Sequence, residues 1–245
     1  MGLAQSTTLP AATWRPWPAR SRAEVAFFLG ERSAADRIAR RLFGRAIPPS
    51  RYAGLAGAPD DARVTVGVSG GRLYLEMHDP TAAAYCGYYY LYSKKSAVVL
   101  LNDGFCINVG RLRGCGLGLQ MFYRQVRNAA RIGVDWMEAM AGRSDRENGY
   151  YSWPRYGWDG RLPRGVRRQL PVDLKKFRTL LELMSCEEGR TWWRTHGAAV
   201  FVRFDLTRGS RSHRTLVEYL RERIRASAAR KNHENTQRAS YGIAQ

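Results

Sequence analysis

The sequence predicts a mixed α/β (α+β) fold in which helices flank a central, mixed but mostly antiparallel sheet. Three observations carry this prediction. Apolar residues alternate with polar ones at 64–68 and 73–77, the period of β-strands, and short strand-like runs at 98–101 and 105–109 flank Asn102-Asp103-Gly104. Between 119 and 130 the apolar residues recur at helical spacing, and 134–141 returns to a strand pattern. A glycine-rich turn at 113–118 joins the second strand region to this helix.

Short turns separate the predicted strands. Ser69-Gly70-Gly71 predicts a hairpin turn, and Asn102-Asp103-Gly104 predicts a second one of the Asp-Gly kind. A strand–helix–strand crossover makes its two strands parallel neighbours, so the sheet should be mixed. The predicted strands are 64–68, 73–77, 88–92, 98–101, 105–109 and 134–141.

The remaining segments define the domain organisation. Ser33 and Asp36 resemble a capping box that opens a helix running to Ala46, and the Gly/Pro-rich stretch 47–62 is predicted as a loop. Beyond Pro171 the pattern predicts a helix from Asp173, a strand at 200–204 and a helix from Ser212. We therefore divide the chain into a flexible arm at 1–20, a main domain at 21–165, a C-terminal α/β extension of helix, strand and helix at 166–228, and a disordered tail at 229–245.

The charge balance indicates an anionic partner. The 245 residues include 40 Lys and Arg against 21 Asp and Glu, a formal charge of +19. Such an excess favours nucleic acid or a phosphate-rich cofactor as partner. The arginines are spread along the whole chain, so a generally basic, solvated surface explains the charge equally well.

The cellular compartment and the metal content of the protein are predicted from weaker sequence signals. No apolar run approaches the roughly 20 residues that span a bilayer, and the N-terminus lacks the pattern of a secretory signal peptide. Cys86, Cys106, Cys115 and Cys186 have neither metal-ligand nor disulfide-framework spacing. The four histidines form no metal spacing either. We expect reduced thiols, no metal and a cytoplasmic protein that does not enter the membrane.

The glycine-rich turn is the motif that carries chemistry. A turn that opens a helix presents unpaired backbone N–H groups at the positive end of the helix dipole, which favours an anion. A P-loop needs Gly-Lys-Ser/Thr, but Gly118 is followed by Leu119 and Gln120. A dinucleotide-binding turn needs GxGxxG, whereas Gly114, Gly116 and Gly118 are spaced GxGxG.

Arg113-Gly114-Cys115-Gly116-Leu117-Gly118 resembles the Gln/Arg-x-x-Gly-x-Gly/Ala signature of the GNAT acyltransferase family. The strand before it and the helix and strand after it are similar to that family's order. The later run from Asn148 to Gly157-Trp158 is similar in kind to its closing segment, and the resemblance covers roughly 33–160. It implies a GNAT-like fold that binds acyl-CoA and transfers an acetyl group to an amine.

The resemblance also implies roles for individual residues. Trp153 occupies the position at which the family commonly has its thiolate-protonating tyrosine, so Tyr151 is our choice of acid, with Tyr150 and Tyr156 as alternatives. Asn148 would contact the pantetheine arm, and the N–H near Val109 would stabilise the oxyanion. The cofactor phosphates would be held by Arg113, Gly114, Cys115, Gly116, Leu117 and Gly118.

A general base is the remaining requirement of acyl transfer to an amine. Glu138 is the first candidate, because alternation places it on an apolar face with Trp136 and Met140, where desolvation would raise its pKa. Pairing of Glu138 with a nearby arginine is an equally good interpretation. Asp103 is the second candidate, although Asp-Gly usually serves only the turn.

Two hypotheses from different classes follow. The first is an N-acyltransferase that moves an acetyl group from acetyl-CoA to an amine whose identity the sequence does not specify. The second is a GNAT-like binding module without catalysis, motivated by Trp153 and by the charge of +19, whose basic surface binds nucleic acid or another acidic partner.

Overall fold

A computed structural model describes residues 16–112, 114–144 and 147–242, with side chains described as far as residue 229 except that of Arg111. Seven strands form one mixed sheet in the order β1 to β7. Pairing is antiparallel from β2 to β5 and between β6 and β7, but parallel for β1 with β2 and for β5 with β6. The strands are β1 Glu24–Phe27, β2 Arg63–Ser69, β3 Arg72–His78, β4 Tyr85–Lys94, β5 Ala97–Ile107, β6 Trp136–Ala141 and β7 Val200–Asp205.

Eight α-helices connect or flank these strands in the described part of the chain. The longest of those between strands is α3, which makes the crossover that keeps β5 and β6 parallel. Short 3-10 turns lie at Gly110–Leu112 and Val172–Leu174. The helices are α1 Arg32–Phe43, α2 Pro49–Leu55, α3 Leu117–Ile132, α4 Gly149–Arg155, α5 Arg164–Gln169, α6 Leu180–Leu183, α7 Glu187–His196 and α8 Arg211–Gly242.

The two faces of the sheet differ sharply in burial. One face, which we call the inner face, packs on the helices and carries fully buried residues such as Leu75, Leu100 and Val202. The residues that alternate with them form the outer face, and nearly all of these are half-buried or exposed. The alternation predicted from sequence at 64–68 and 73–77 is therefore confirmed, and it separates a buried inner face from a more exposed outer face.

The predicted mixed, mostly antiparallel sheet is confirmed, but one of its predicted turns is wrong. Asn102-Asp103-Gly104 does not turn the chain; it lies inside the continuous strand β5. Asp103 is the extra residue of a β-bulge, because Tyr88 pairs with Gly104 while Tyr89 pairs with Asn102. Asp-Gly suits a bulge as well as a turn, since both need an irregular backbone.

The turn between β4 and β5 lies at Lys95 and Ser96 instead. Both residues adopt positive φ, 51° and 67°, as a two-residue hairpin turn requires. Neither is Gly, Asn or Asp, so the usual sequence signal of such a turn is missing. The segment 102–104 carried that signal without making the turn.

The prediction of four reduced cysteines is also wrong. Cys86 and Cys106 pair directly across β4 and β5, with Cα atoms 5.3 Å apart, and are joined by a disulfide. Strand register creates this juxtaposition, which linear spacing does not show. Cys115 and Cys186 are free thiols. Because disulfides are rare in cytosolic proteins, the cytoplasmic location loses one of its supports and stays a prediction.

Several element boundaries differ from the expectation. The predicted loop at 47–62 contains α2, which Pro49 opens at a position where its missing N–H costs nothing. Helix α1 forms as expected, although its N-cap is Glu31 and no side chain caps it. The predicted tail from 229 belongs to α8 as far as Gly242. The predicted arm is described only from residue 16, and its residues 1–15 lie outside the described part.

The C-terminal third is tied into the same sheet. Strand β7 pairs with β6 along its whole length, from Trp136 opposite Asp205 to Ala141 opposite Val200. The segment before it packs inward through Trp158 and Trp193, both fully buried. The predicted extension therefore shares one hydrophobic core with the residues before it. Within the described ranges, no helix combines the length and the apolar character that crossing a bilayer requires.

Candidate functional site: the turn before α3

The glycine turn has the backbone geometry that its sequence predicts. Gly114 and Gly116 have positive φ values of 75° and 94°, a conformation that glycine adopts without steric cost. Gly116 is the N-cap of α3. Gly118 has ordinary φ, and an added Cβ would meet Phe105 and Ile107 at 3.5 Å, an ordinary contact. The turn thus depends on Gly114 and Gly116 more than on Gly118.

The first turn of α3 keeps its positive electrostatic character. Its N-cap, Gly116, has no side chain with which to cap it, and the described first turn contains no acidic residue. The sixteen-residue helix therefore presents N–H groups of Leu117 and Gly118 without a capping carboxylate or hydroxyl. Cys115 is exposed, and its thiol contacts the Leu112 carbonyl at 2.8 Å. Arg113, the first residue of the signature, lies outside the described residues.

The strands on either side of α3 separate beside this turn. Parallel pairing of β5 with β6 ends at Asn102 and Ala139, although β5 continues to Ile107. The bulge at Asp103 lies where pairing stops, and bulges are common beside functional sites. Strand β5 thus runs on unpaired along its β6 side until it reaches the turn.

Glu138 lies on β6 but not in the environment that we predicted. Its side chain is 4% exposed, and it accepts hydrogen bonds from Trp136 Nε1 at 2.9 Å, Lys94 Nζ at 3.0 Å and the Tyr92 hydroxyl at 3.0 Å. Burial raises the pKa of Glu138, but these hydrogen bonds and the charge of Lys94 outweigh it and lower the pKa below its ordinary value of 4.5. The predicted raised pKa is wrong.

Pairing of Glu138 with a cation is confirmed. The predicted partner was an arginine, but the close partner is Lys94, with Arg203 farther away at 3.9 Å. A carboxylate with a lowered pKa holds protons weakly, so Glu138 is a poorer base than a desolvated, unpaired glutamate. Asp103, the second candidate, is the exposed bulge residue.

The three candidate tyrosines differ in what holds their hydroxyl groups. Tyr150 donates to the Arg194 carbonyl at 2.9 Å. Burial raises the pKa of Tyr156 to about 12. The Tyr151 hydroxyl has no hydrogen-bond partner among the described residues, while its ring lies beside Arg155 and Arg194 at 5.5 and 5.8 Å. Tyr151 is therefore the candidate whose hydroxyl is free to meet a substrate.

Trp153 has a packing role. Its ring lies 6.1 Å from Phe105, 5.8 Å from Phe122 and 5.3 Å from Trp158, in the aromatic core beneath α4. Through this ring α4 is anchored on the inner face, against β5 and α3. The packing of Trp153 thus explains where α4 lies, and this packing needs no chemical role for the ring.

Asn148 and Val109 lie near the ends of their elements. Asn148 is the exposed N-cap of α4, and its side chain accepts from the Ser152 hydroxyl at 3.1 Å rather than from backbone. Val109 follows β5 and is half-buried. Its carbonyl accepts from Leu112, whereas its N–H has no acceptor among the described residues. That free N–H fits the predicted oxyanion donor.

The structure brings together only some of the predicted site residues. Val109, the glycine turn and α3 are contiguous along the chain and lie at the end of β5. Glu138 points to the outer face, whereas α4, which carries Tyr151, packs on the inner face through Trp153. No contact joins Glu138 to Tyr151 within the described residues.

Sequence reasoning missed one arginine that contacts the turn and a second one that contacts the same helix, α8. Arg223 of α8 donates to the Gly114 carbonyl at 3.0 Å. Arg155 of α4 lies over the ring of Tyr219, one helical turn before Arg223, at 5.0 Å. Neither arginine has an ion pair with another described residue. Their approach depends on the packing of α8 against α4, for which the sequence contains no signal.

Two surface cavities lie elsewhere. The larger, of about 570 Å³, is lined by residues 20–23, Val25, Pro49 and Ser50. The smaller, of about 280 Å³, lies between Asp159–Arg161 and the end of β7. Neither is lined by the glycine turn, so the candidate site rests on backbone geometry and charge. No protein-family model matches the chain, and no curated protein matches it at a significant level.

Proposed function

We propose that the chain binds an acyl-CoA at the turn before α3 and transfers the acyl group to an amine. The observation that carries the proposal is the pair of positive-φ glycines, Gly114 and Gly116, opening an uncapped helix between two parallel strands whose pairing ends beside it. Backbone N–H groups in this position favour phosphate, and acyl-CoA carries a pyrophosphate. The resemblance of the turn to the GNAT signature supports the same class.

The proposed reaction needs few groups. The neutral amine nitrogen attacks the thioester carbonyl, the carbon–sulfur bond breaks, and the departing thiolate takes the proton of the Tyr151 hydroxyl. The proton that the nitrogen loses passes to solvent, and solvent returns one to Tyr151. The N–H of Val109 and the hydroxyl of Tyr151 have no hydrogen-bond partner among the described residues, so the first suits the developing oxyanion and the second the thiolate. Glu138 is paired with Lys94, so we assign it no step, and the amine enters the reaction neutral.

The variant Gly116→Glu tests this proposal. A glutamate there combines the cost of a positive φ with a carboxylate at the anion site, so we expect acetyl-CoA binding to fall below detection in calorimetric titration. Gly165→Glu, in the exposed first turn of α5, is the matched control and should bind as wild type. Unchanged affinity of a folded Gly116→Glu variant contradicts the proposal.

The second candidate function is a binding module without catalysis. It is favoured by Trp153, whose ring is packed among Phe105, Phe122 and Trp158 and offers no acidic proton in place of the tyrosine. The charge of +19 supplies the attraction for an acidic partner. In this case acetyl-CoA would still bind, but no amine would be acetylated. Mass spectrometry of an amine library incubated with the protein and acetyl-CoA separates the two functions.

A further inference from the structure

The outer face of the sheet carries a concentration of aromatic side chains. Cross-strand register places these rings, from β3, β4, β6 and β7, on one side of the sheet, opposite the inner face. Tyr88 is 37% exposed and Phe201 is 48% exposed, although large aromatic side chains are usually buried. The six aromatic residues on this face are Tyr74, Tyr88, Tyr90, Tyr92, Trp136 and Phe201.

The rings are arranged across neighbouring strands. Tyr74 of β3 is directly opposite Tyr90 of β4, with ring centroids 5.1 Å apart. Tyr88 follows on β4, two residues from Tyr90 on the same face. Tyr88 and Phe201 are exposed and the other four rings are half-buried. Apolar surface that is exposed and contiguous often marks an interaction site.

Cations lie among these rings. The guanidinium of Arg72 is 4.9 Å from the centroid of Tyr92, and that of Arg203 is 3.7 Å from Trp136. Arg72 has no ion pair with another described residue. The carboxylate of Glu138 is almost fully buried and is neutralised by Lys94 at 3.0 Å. Arg72 and Arg203 therefore place positive charge beside aromatic rings on this face, where the carboxylate of Glu76 lies opposite Tyr88.

The charge of the chain decides which partner fits. A second copy would bring another +19 charge against the first, and this repulsion opposes self-association. A polyanion is attracted by the same charge. Among polyanions, a single strand suits a flat face, because its unstacked bases can stack on aromatic rings and on arginine planes while its phosphates pair with cations. A duplex hides its bases and offers no such stacking.

We propose that the outer face binds single-stranded nucleic acid, with bases stacked on Tyr88 and Tyr90 and phosphates contacted by Arg72 and Arg203. The inference is independent of acyl-CoA binding, because the glycine turn and α3 belong to the opposite, helix-bearing side. It requires accessible rings on this face, and Tyr88 and Phe201 are exposed.

Fluorescence anisotropy with labelled twelve-residue oligo-U and oligo-dT tests this surface. Arg72→Glu should weaken binding about tenfold or more, since it removes a phosphate contact and adds a repelling charge. Arg225→Glu, on exposed helix α8, changes the net charge by the same amount away from this face and should weaken binding less than threefold. Equal losses in both variants would show attraction by overall charge and overturn the proposal.

Tyr88→Ala tests stacking separately from charge. Because one stacked base is lost, we expect binding to weaken about fivefold or more. This weakening should persist at high salt, where charge is screened. Circular dichroism of each variant must match wild type. Three outcomes would overturn the proposal. The wild type does not bind the oligonucleotides, or it prefers duplex to single strand. The third is a dimer that light scattering detects for the wild type but not for Tyr88→Ala.

Discussion

Glu138 shows how neighbouring side chains determine the chemistry of one residue. The sequence places it correctly on a strand after α3, but not among Lys94, Tyr92 and Trp136. Two of these partners are separated from it by 44 and 46 residues and reach it only through strand register. A strand pattern predicts which face a side chain takes, and it carries no information about which distant residue shares that face.

Glu138→Gln tests the assigned charge state. The folded-state pKa of Glu138 lies below its ordinary value, so its stabilisation is present above about pH 4.5 and is lost as pH falls through the folded pKa. We expect the variant to lose about 1–3 kcal/mol of unfolding free energy at pH 7. The difference from wild type should narrow steadily below pH 4.5.

Urea unfolding at several pH values measures this difference. Glu218→Gln, an exposed residue without an ion pair among the described residues, is the control and should have little effect at any pH. A gap between Glu138→Gln and wild type that stays constant down to pH 3 would mean that the pKa of Glu138 is not lowered.

At the scale of elements, α3 illustrates a polar helix face that is buried. The helical spacing of apolar residues leaves Arg124 and Asn128 outside the apolar stripe, yet both are almost fully buried. Asn128 donates to the Ala19 carbonyl at 2.8 Å, and Arg124 donates to the Pro18 carbonyl at 2.9 Å and pairs with Asp60 at 2.9 Å. The N-terminal segment from residue 16 is therefore held by α3, which polarity alone does not predict.

Gly54→Ala probes the packing of α2 against α3. An added Cβ would overlap the Asn128 amide, whose hydrogen bonds to the Ala19 and Arg124 carbonyls prevent an easy shift. We expect a loss of about 1–3 kcal/mol in unfolding free energy. Gly165→Ala, also helical but with open space around it, should be neutral or stabilising by up to about 1 kcal/mol. Equal effects at the two glycines would rule out the overlap.

Helix α8 links the C-terminal third to the candidate site. Arg223 contacts the Gly114 carbonyl, which leaves its other N–H groups available to a phosphate at the turn. If acyl-CoA binds there, Arg223→Ala should weaken binding about tenfold, since a charge-assisted hydrogen bond is lost. Arg225→Ala is the matched control, and calorimetry measures both. Affinity equal to wild type in Arg223→Ala would separate α8 from the site.

The elements that could be predicted from sequence are those with a complete local signal. The β2–β3 hairpin has both alternation and a glycine turn, and α3 has a continuous apolar stripe ended by Gly133. The predicted position of the β4–β5 turn is wrong for two reasons. Lys95 and Ser96 take positive φ although neither is glycine, and Asp103-Gly104 has the sequence of a turn but forms a bulge. Positive φ at ordinary residues is imposed by the strands on either side.

At the scale of the whole molecule, the described chain is a mixed sheet flanked by helices, and it has two separate candidate surfaces. The glycine turn lies at the end of β5 beside α3, whereas the aromatic outer face lies across β3 to β7. The sequence indicates the turn because its three glycines lie within five consecutive residues. It does not indicate the outer face, which is assembled from five strands and emerges only with their register.

The central claim is an acyl-CoA site at the turn before α3, and calorimetric titration of acetyl-CoA into the purified wild-type chain tests it most directly. We predict saturable binding with a Kd of about 10 μM or tighter at physiological salt, near −7 kcal/mol. CoA should compete for the site, and ATP, which lacks the pantetheine arm, should not. Absence of saturable binding by the folded protein, or equal competition by ATP, would contradict the claim and leave the turn as a connection between strand and helix.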